Sequence, residues 1–370
     1  MCPLIVVEAE GLIYRNPLPQ LRSRKAYFPH LSSLAGGGFL ASFSLGEAME
    51  SVDQTTVLYR SDPQGLMWRE DGFLIEPSLR GRFSDTAKVT ALPDGSQIAL
   101  GYRFDRSDPT LPVGNPQTGG LLDNEVFCCQ REQGETAWTP PQPIPTSFKG
   151  PVEASAPLTW LSSGALAAPI ANFLDWQGEQ REDLCGRLLV SKDGHTWTDD
   201  VVTMRFAGGR TAIWEQRLCE YRTDHLAVIA WVENLETGNA LCNQVALSLD
   251  GGQSFAPPLD TGIPGQASGI TALGNGKVLT LHAMRRHTEQ PGILAVVSDL
   301  SAGRWDMLAH SQIWDAPRLP PNSALPGVFS AVRFGQPSAL LLQDGRLLVS
   351  FWCEENGESN IRWIRLQLKE

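Results

Sequence analysis

The sequence predicts an all-β fold: a six-bladed β-propeller of four-stranded antiparallel blades, with the ring closed by the N- and C-terminal strands. Three observations carry that expectation. First, 35 Gly and 26 Pro are spread along 370 residues with no helical block, the composition of many short strands joined by turns. Second, an apolar segment, a Gly-containing turn and a second apolar segment recur six times, with starts 51–70 residues apart. Third, five of the six units continue into another hairpin tipped by a bulky aromatic. Two hairpins per unit make four strands, and six such sheets can cover one another's faces only by stacking around an axis.

In chain order the inner hairpins lie at 27–43, 86–102, 153–170, 215–231, 266–282 and 336–352. Asp94-Gly95, Gly274 to Gly276 and Asp344-Gly345 supply the positive-φ turn positions between runs of Val, Ile, Leu, Phe and Ala. The outer hairpins end at Trp68, Trp138, Trp197, Phe255 and Trp305. Asn360 to Leu368 lacks a fourth partner and Leu4 to Tyr14 is left over, so these two strands are expected to pair. The whole chain, 1–370, is read as a single propeller domain.

Charge and composition exclude several partners. A net charge of −11 opposes a nucleic-acid backbone or an anionic membrane, both of which need a Lys/Arg surface. No run of 18 apolar residues exists, and Glu8 and Glu10 follow a short apolar run where an export signal would differ. A cytoplasmic location is expected. The seven cysteines, Cys2, Cys128, Cys129, Cys185, Cys219, Cys242 and Cys353, show no metal-type spacing and read as reduced, mostly buried thiols, with Cys128 and Cys129 on opposite faces of one strand. His30 and His282 read as packed strand residues, and neither a metal nor another cofactor is expected.

Ser248-Leu-Asp-Gly-Gly-Gln-Ser-Phe255 matches the Asp-box (BNR-repeat) pattern S-x-D-x-G-x-[ST]-[WF] in full, and Ser191-Lys-Asp-Gly-His-Thr-Trp197 matches with one residue deleted. The turn from Ser61 to Trp68 has Pro63 at the Asp position. An Asp that accepts hydrogen bonds from its own turn, a Gly at positive φ and an aromatic plug are structural devices. Asp boxes on a six-bladed pattern resemble the sialidase superfamily over nearly the whole chain. The resemblance implies chemistry on one rim, where inner strands start and second strands end. It puts Asp53, in Asp53-Gln-Thr-Thr-Val-Leu-Tyr-Arg-Ser61, where the family has its acid/base Asp. It puts Glu215, in Trp-Glu-Gln-Arg-Leu, where the family has the Glu that assists a tyrosine nucleophile.

The sequence also departs from that pattern. Tyr27, Trp231 and Gln266 stand at the positions of the three carboxylate-binding arginines, and Gln336 stands where the tyrosine nucleophile would open the sixth unit. Gln is no such nucleophile. The chain thus resembles a divergent member without the arginine triad or the tyrosine.

The rim reads instead as polar and acidic, as a sugar pocket requires: hydrogen-bonding groups for hydroxyls and an indole for the apolar ring face. The expected catalytic residues are Asp53 as acid and Glu215, with Glu153 beside it, activating water. Tyr27, Glu47, Arg103, Arg217, Trp231, Gln266 and Gln336 are the expected carbohydrate-binding residues. Arg103 and Arg217 can alternatively pair with Glu47, Asp105 or Glu153. Glu47 and Glu50 either line the pocket or pair with Arg22 and Arg24. The loop 107–122, with three Pro and three Gly, is expected to overhang the rim as a lid. These residues point to a sialidase-like exo-acting glycoside hydrolase of altered substrate and mechanism. The alternatives are a non-catalytic carbohydrate-binding propeller and a lyase or epimerase on an acidic sugar. Whether Asp53 faces the pocket or pairs with Arg60 outside it separates catalysis from binding.

Overall fold

The computed structural model describes residues 4–286, 288–317 and 332–369; Cys2 lies outside them. Six four-stranded antiparallel sheets form a ring, a six-bladed β-propeller. The first blade is built from Lys25–Ser33, Phe39–Gly46, Thr55–Ser61 and Trp68–Phe73, and the second from Phe83–Ala91, Gln97–Asp105, Asn124–Arg131 and Gln142–Pro143. Leu166–Asn172, Cys185–Ser191 and Trp197–Arg205 are the outer three strands of the third. The fourth blade holds Thr211–Arg222, His225–Asn234, Gln244–Ser248 and Leu259–Asp260. The fifth holds Ser268–Gly274, Lys277–Met284, Gly292–Asp299 and Asp306–Asp315.

The sixth blade combines Phe334–Leu341, Leu347–Glu355 and Glu358–Lys369 with the N-terminal strand Leu4–Tyr14, in the order the leftover strands imply. Among the described residues one short helix, Pro77–Arg80, crosses between the first two blades. Among the described residues no helix is long and apolar enough to cross a membrane.

One hairpin differs from its sequence reading. The inner strand of the third blade is broken into Val152–Glu153 and Thr159–Trp160. Pro157 lies in the gap, and a Pro cannot donate to the ladder. Turn chemistry also differs at the first outer hairpin: Asp62, one residue before Pro63, accepts from Leu66 N (2.7 Å) and Met67 N (3.0 Å). In the fourth blade Asp250 accepts from Ser248 Oγ (2.7 Å) and Ser254 N (3.0 Å).

The core lies between the blades. Leu40, Leu58, Val89, Phe127 and Cys129 join the first and second blades, while Leu100, Cys128, Ala168 and Leu189 join the second and third. Adjacent Cys128 and Cys129 therefore enter different cores, as strand alternation requires, and burial pushes both thiols up. Burying each such apolar side chain contributes about 1.5–3 kcal/mol. This packing fixes the spacing of the inner strands, whose starts form the rim.

Candidate functional site

Three inner strands share one irregularity. The pairing register breaks between Tyr27 and His30 in the first blade, Trp214 and Arg217 in the fourth, and Gly335 and Ser338 in the sixth. At each break one non-Gly residue is left-handed: Phe28 at φ 57°, Glu215 at 49° and Gln336 at 44°. Such residues carry strain that the surrounding packing must hold, and bulges re-aim side chains.

All three bulges are tied to Lys88, on the inner strand of the second blade. Its Nζ donates to the Phe28 carbonyl and, at 3.1 Å, to Gln336 Oε1. Gln336 Nε2 in turn donates to Glu215 Oε1 at 2.5 Å. The second, fourth and sixth blades thus meet across the ring, which puts the Lys88–Gln336–Glu215 chain on its axis. A lysine nitrogen that donates and a carboxyl oxygen that accepts orient the Gln336 amide between them. Burial holds the Lys88 amine well below its usual range. Glu215 Oε2 is buried with no hydrogen-bond partner among the described residues.

Other charged groups gather around Glu215. Glu153 accepts from Ser155 N (2.9 Å) on one oxygen and leaves the other without a partner; burial raises its pKa, against the opposing charge of Arg217. Arg217 donates to Ser155 Oγ (3.1 Å) and to the Gln216 carbonyl (2.7 Å). His30, with Nδ1 unpartnered, is pulled down to about 3 by burial and by the charges of Lys88 and Arg217, so it stays neutral.

Gln266 is 1% exposed, and its Oε1 accepts from the backbone N of Arg285 (3.0 Å) and Arg286 (3.2 Å). That grip holds the segment carrying Arg285, whose Nε donates to the Phe334 carbonyl (2.8 Å). Burial pulls its pKa down to about 10, with the Glu215 charge opposing.

An aromatic wall completes this side. Trp231 pairs in register with Trp214, their rings 6.0 Å apart, and Phe173 lies 4.0 Å from Trp214. The Arg286 guanidinium lies 5.9 Å from the Trp231 ring. Both tryptophans are half-buried.

A cleft of about 550 Å³ opens over the first and second blades. Glu47, Glu50, Asp53, Arg80, Arg106 and residues 109–112 line it. Asp53 does not pair with Arg60, which instead binds Asp71 through two hydrogen bonds of 3.1 Å. Asp53 Oδ1 accepts from Glu47 N (3.0 Å) and Ser51 Oγ (2.6 Å). Glu50, at φ 55°, is pushed up to about 7, first by burial and further by the Glu215 charge, with Arg106 opposing. Glu50 lines this cleft, the first of the two placements open to it from sequence.

The remaining expected residues are placed as follows. Tyr27 is 2% exposed and packs edge-on against Trp352 at 5.0 Å, inside the core. Arg103 pairs with Glu125 (Nε to Oε1, 2.6 Å) and not with Glu47, Asp105 or Glu153; the two stand opposite each other on neighbouring strands. Glu47 is exposed at the cleft mouth and has no ion pair to Arg22 or Arg24 among the described residues. His282 is fully buried and bonded to Asn243 Oδ1 (2.7 Å) and Thr280 Oγ1 (2.9 Å). No group of three or more His, Cys, Asp or Glu side chains that could hold a metal ion occurs among the described residues.

No protein-family model matches the sequence, and no curated protein matches it. Solved structures do. A Dyadobacter fermentans protein of unknown function is similar over 99% of both chains, at 17% identity and a TM-score of 0.74. The NanB sialidase of Streptococcus pneumoniae is 12% identical over 97% of this chain and 71% of its own, with a TM-score of 0.63. A Trypanosoma rangeli sialidase, solved in complex with sialic acid, is 14% identical over 92% of this chain and 54% of its own, with a TM-score of 0.62. At these identities the likeness establishes a sialidase-like propeller fold and leaves the chemistry to the residues of the rim.

Proposed function

We propose that the protein is an exo-acting glycoside hydrolase that cleaves a terminal sugar at the axial rim, by a route altered from that of sialidases. The observation that carries this reading is a buried axial carboxyl group with one free oxygen, together with a second carboxyl group lining the adjoining cleft. Glu215 is held on one oxygen by Gln336 and presents the other unpartnered. Glu50, electrostatically coupled to it, is pushed up to about 7 and so holds a proton near neutrality. A carboxyl group that keeps its proton near neutrality is what protonation of a departing glycosidic oxygen requires.

In this mechanism Trp231 supports the apolar face of the sugar. Glu50 protonates the departing glycosidic oxygen. Glu215 takes a proton from a water whose oxygen bonds to the anomeric carbon as the glycosidic bond breaks. Gln336, at the place of the tyrosine nucleophile, orients Glu215 and forms no covalent bond. Asp53, the acid expected from sequence, keeps a place in the same cleft, where its hydrogen bonds to Glu47 N and Ser51 Oγ hold the loop that presents Glu50.

The test is release of aryl alcohol from a panel of sialosides, neutral glycosides and uronides by the wild type, Glu215→Gln, Glu50→Gln and Asp53→Ala. The expected outcome is one cleaved sugar, with losses of at least 100-fold for Glu215→Gln and Glu50→Gln and a smaller loss for Asp53→Ala. Loss in Asp53→Ala alone would return the acid role to Asp53. Binding of one sugar without its cleavage would favour the second reading, a carbohydrate-binding propeller, which the glutamine at position 336 supports.

A further inference from the structure

The cleft over the first two blades contains guanidinium donors that the chain itself does not use. Arg106 is only 6% exposed, and although its Nη2 donates to the Leu111 carbonyl (3.0 Å), Nε and Nη1 are buried without a partner. Arg80 donates through Nη1 to the Asp53 carbonyl (2.5 Å), while its Nε is likewise buried and unpartnered. Neither arginine has a carboxylate within ion-pair distance among the described residues. A buried charged donor left unmatched costs several kcal/mol, so folding alone gives no reason for this arrangement.

The carboxylates of the cleft do not satisfy these donors. Asp53 is turned to its own loop, where it accepts from Glu47 N and Ser51 Oγ. Glu47 stands exposed at the mouth. Glu50 Oε2 is itself buried and unpartnered, and it makes no ion pair with either arginine among the described residues.

We infer that this cleft is an oxyanion subsite, in which Arg106 and Arg80 bind a carboxylate, sulfate or phosphate carried by the ligand, with Glu50 at its inner wall. The subsite is separate from Arg285 and Arg217, which stand around Glu215 on the axis. Planar guanidiniums suit such groups because their N–H donors match two oxygens at once. The inference rests on the reading above only in taking the anion to be a substituent of a sugar. In an otherwise acidic chain of net charge −11, selectivity then comes from these two fixed cations and owes nothing to the overall field.

Calorimetric titration of the full chain at pH 6 with methyl 1-thio-β-D-glucuronide, methyl 1-thio-β-D-glucoside and sodium sulfate tests the inference without turnover. The expected result is that wild type binds the glucuronide at least tenfold more tightly than the glucoside and that sulfate competes with it. Arg106→Gln should bring the two sugars within twofold, and Arg80→Gln, which leaves the Leu111 contact intact, should lower the preference severalfold. Equal binding of the two sugars by the wild type, or an unchanged preference in both variants, overturns the subsite. Failure of wild type to bind any of the three up to 50 mM also overturns it. Sulfate binding that Arg106→Gln abolishes, with neither sugar bound, keeps the oxyanion subsite and counts against the hydrolase reading. A glycosidase that cleaves neutral and anionic sugars alike keeps the hydrolase and removes the subsite.

Discussion

Glu50 shows how one side chain links charge, stability and chemistry. Its pKa is raised from 4.5 to about 7 by burial and by the Glu215 charge, with Arg106 opposing. The folded chain therefore holds this proton more tightly than the unfolded chain. Between about pH 4.5 and 7 the stability contributed by Glu50 falls as pH rises, because above 7 a carboxylate must be kept in a poorly solvated place. Glu50→Gln removes that penalty. Urea unfolding should show the variant more stable than wild type at pH 8, by on the order of 3 kcal/mol, and equal to it near pH 4. Identical differences at both pH values would show that Glu50 does not titrate in this window. The same substitution is expected to abolish activity, so stability and function change in opposite directions at this residue, as they do where a site is built against the preference of its groups.

At the scale of elements, the loop between the second and third strands of the second blade lines the cleft through residues 109–112. It does not hang free. Asn115 Nδ2 (2.9 Å) and Thr118 Oγ1 (2.8 Å) donate to the Trp176 carbonyl, and Leu121 N donates to the Leu174 carbonyl (3.1 Å), which fastens the loop to the third blade. Gly120 permits that approach: a Cβ there would run into the Asp175 carbonyl. Gly120→Ala should release this anchor, so that limited proteolysis within 107–119 accelerates at least fivefold while the thermal midpoint of the ring moves by only about 1–3 °C. Unchanged cleavage would mean that Pro109, Pro112 and Pro116 stiffen the loop without the anchor. Hairpins and the order of the blades were legible because turn glycines and alternating apolar residues repeat in register with the fold. The loop 107–122 was legible as a long interruption of that repeat, and its anchor on the third blade was not. Glu50 was legible only as a residue that lines the pocket or pairs with an arginine, since it lies on an irregular loop at positive φ and no period marks it. Lys88 was equally hidden: on an alternating strand its position reads as an ordinary polar site, and only the ring brings it opposite Gln336 and Phe28. Asp53 and Glu215 were singled out by resemblance to family segments, which locates a residue along the chain and says nothing of which oxygen is already bonded.

The whole molecule depends on closure. A ring of stacked blades has no free sheet face only if its last blade is complete, and here the fourth strand of that blade comes from the opposite end of the chain. Leu4–Tyr14 pairs antiparallel with Glu358–Lys369, from Leu4 opposite Lys369 to Tyr14 opposite Ile361. Its buried side chains join both neighbouring cores: Ile5 packs with Leu281, Ile293 and Leu366, while Ile13 and Tyr14 pack with Phe43, Val57 and Trp363. Removing the strand would strip that apolar cover and expose the unpaired edge of Glu358–Lys369, a template for pairing with a second chain. Deletion of residues 1–14 should therefore lower the unfolding midpoint by well over 10 °C and cause aggregation on heating. The isolated peptide 1–14, added back in excess, should restore part of the loss by mass action. The same deletion should abolish ligand binding even though the deleted strand contributes no residue to the rim, because Lys88, Gln336 and Glu215 come from the second, sixth and fourth blades and meet only while the ring is shut. If the truncated chain kept its midpoint and its binding, the axial cluster would have to be held by the inner strands alone, and closure would be a matter of solubility with no bearing on chemistry.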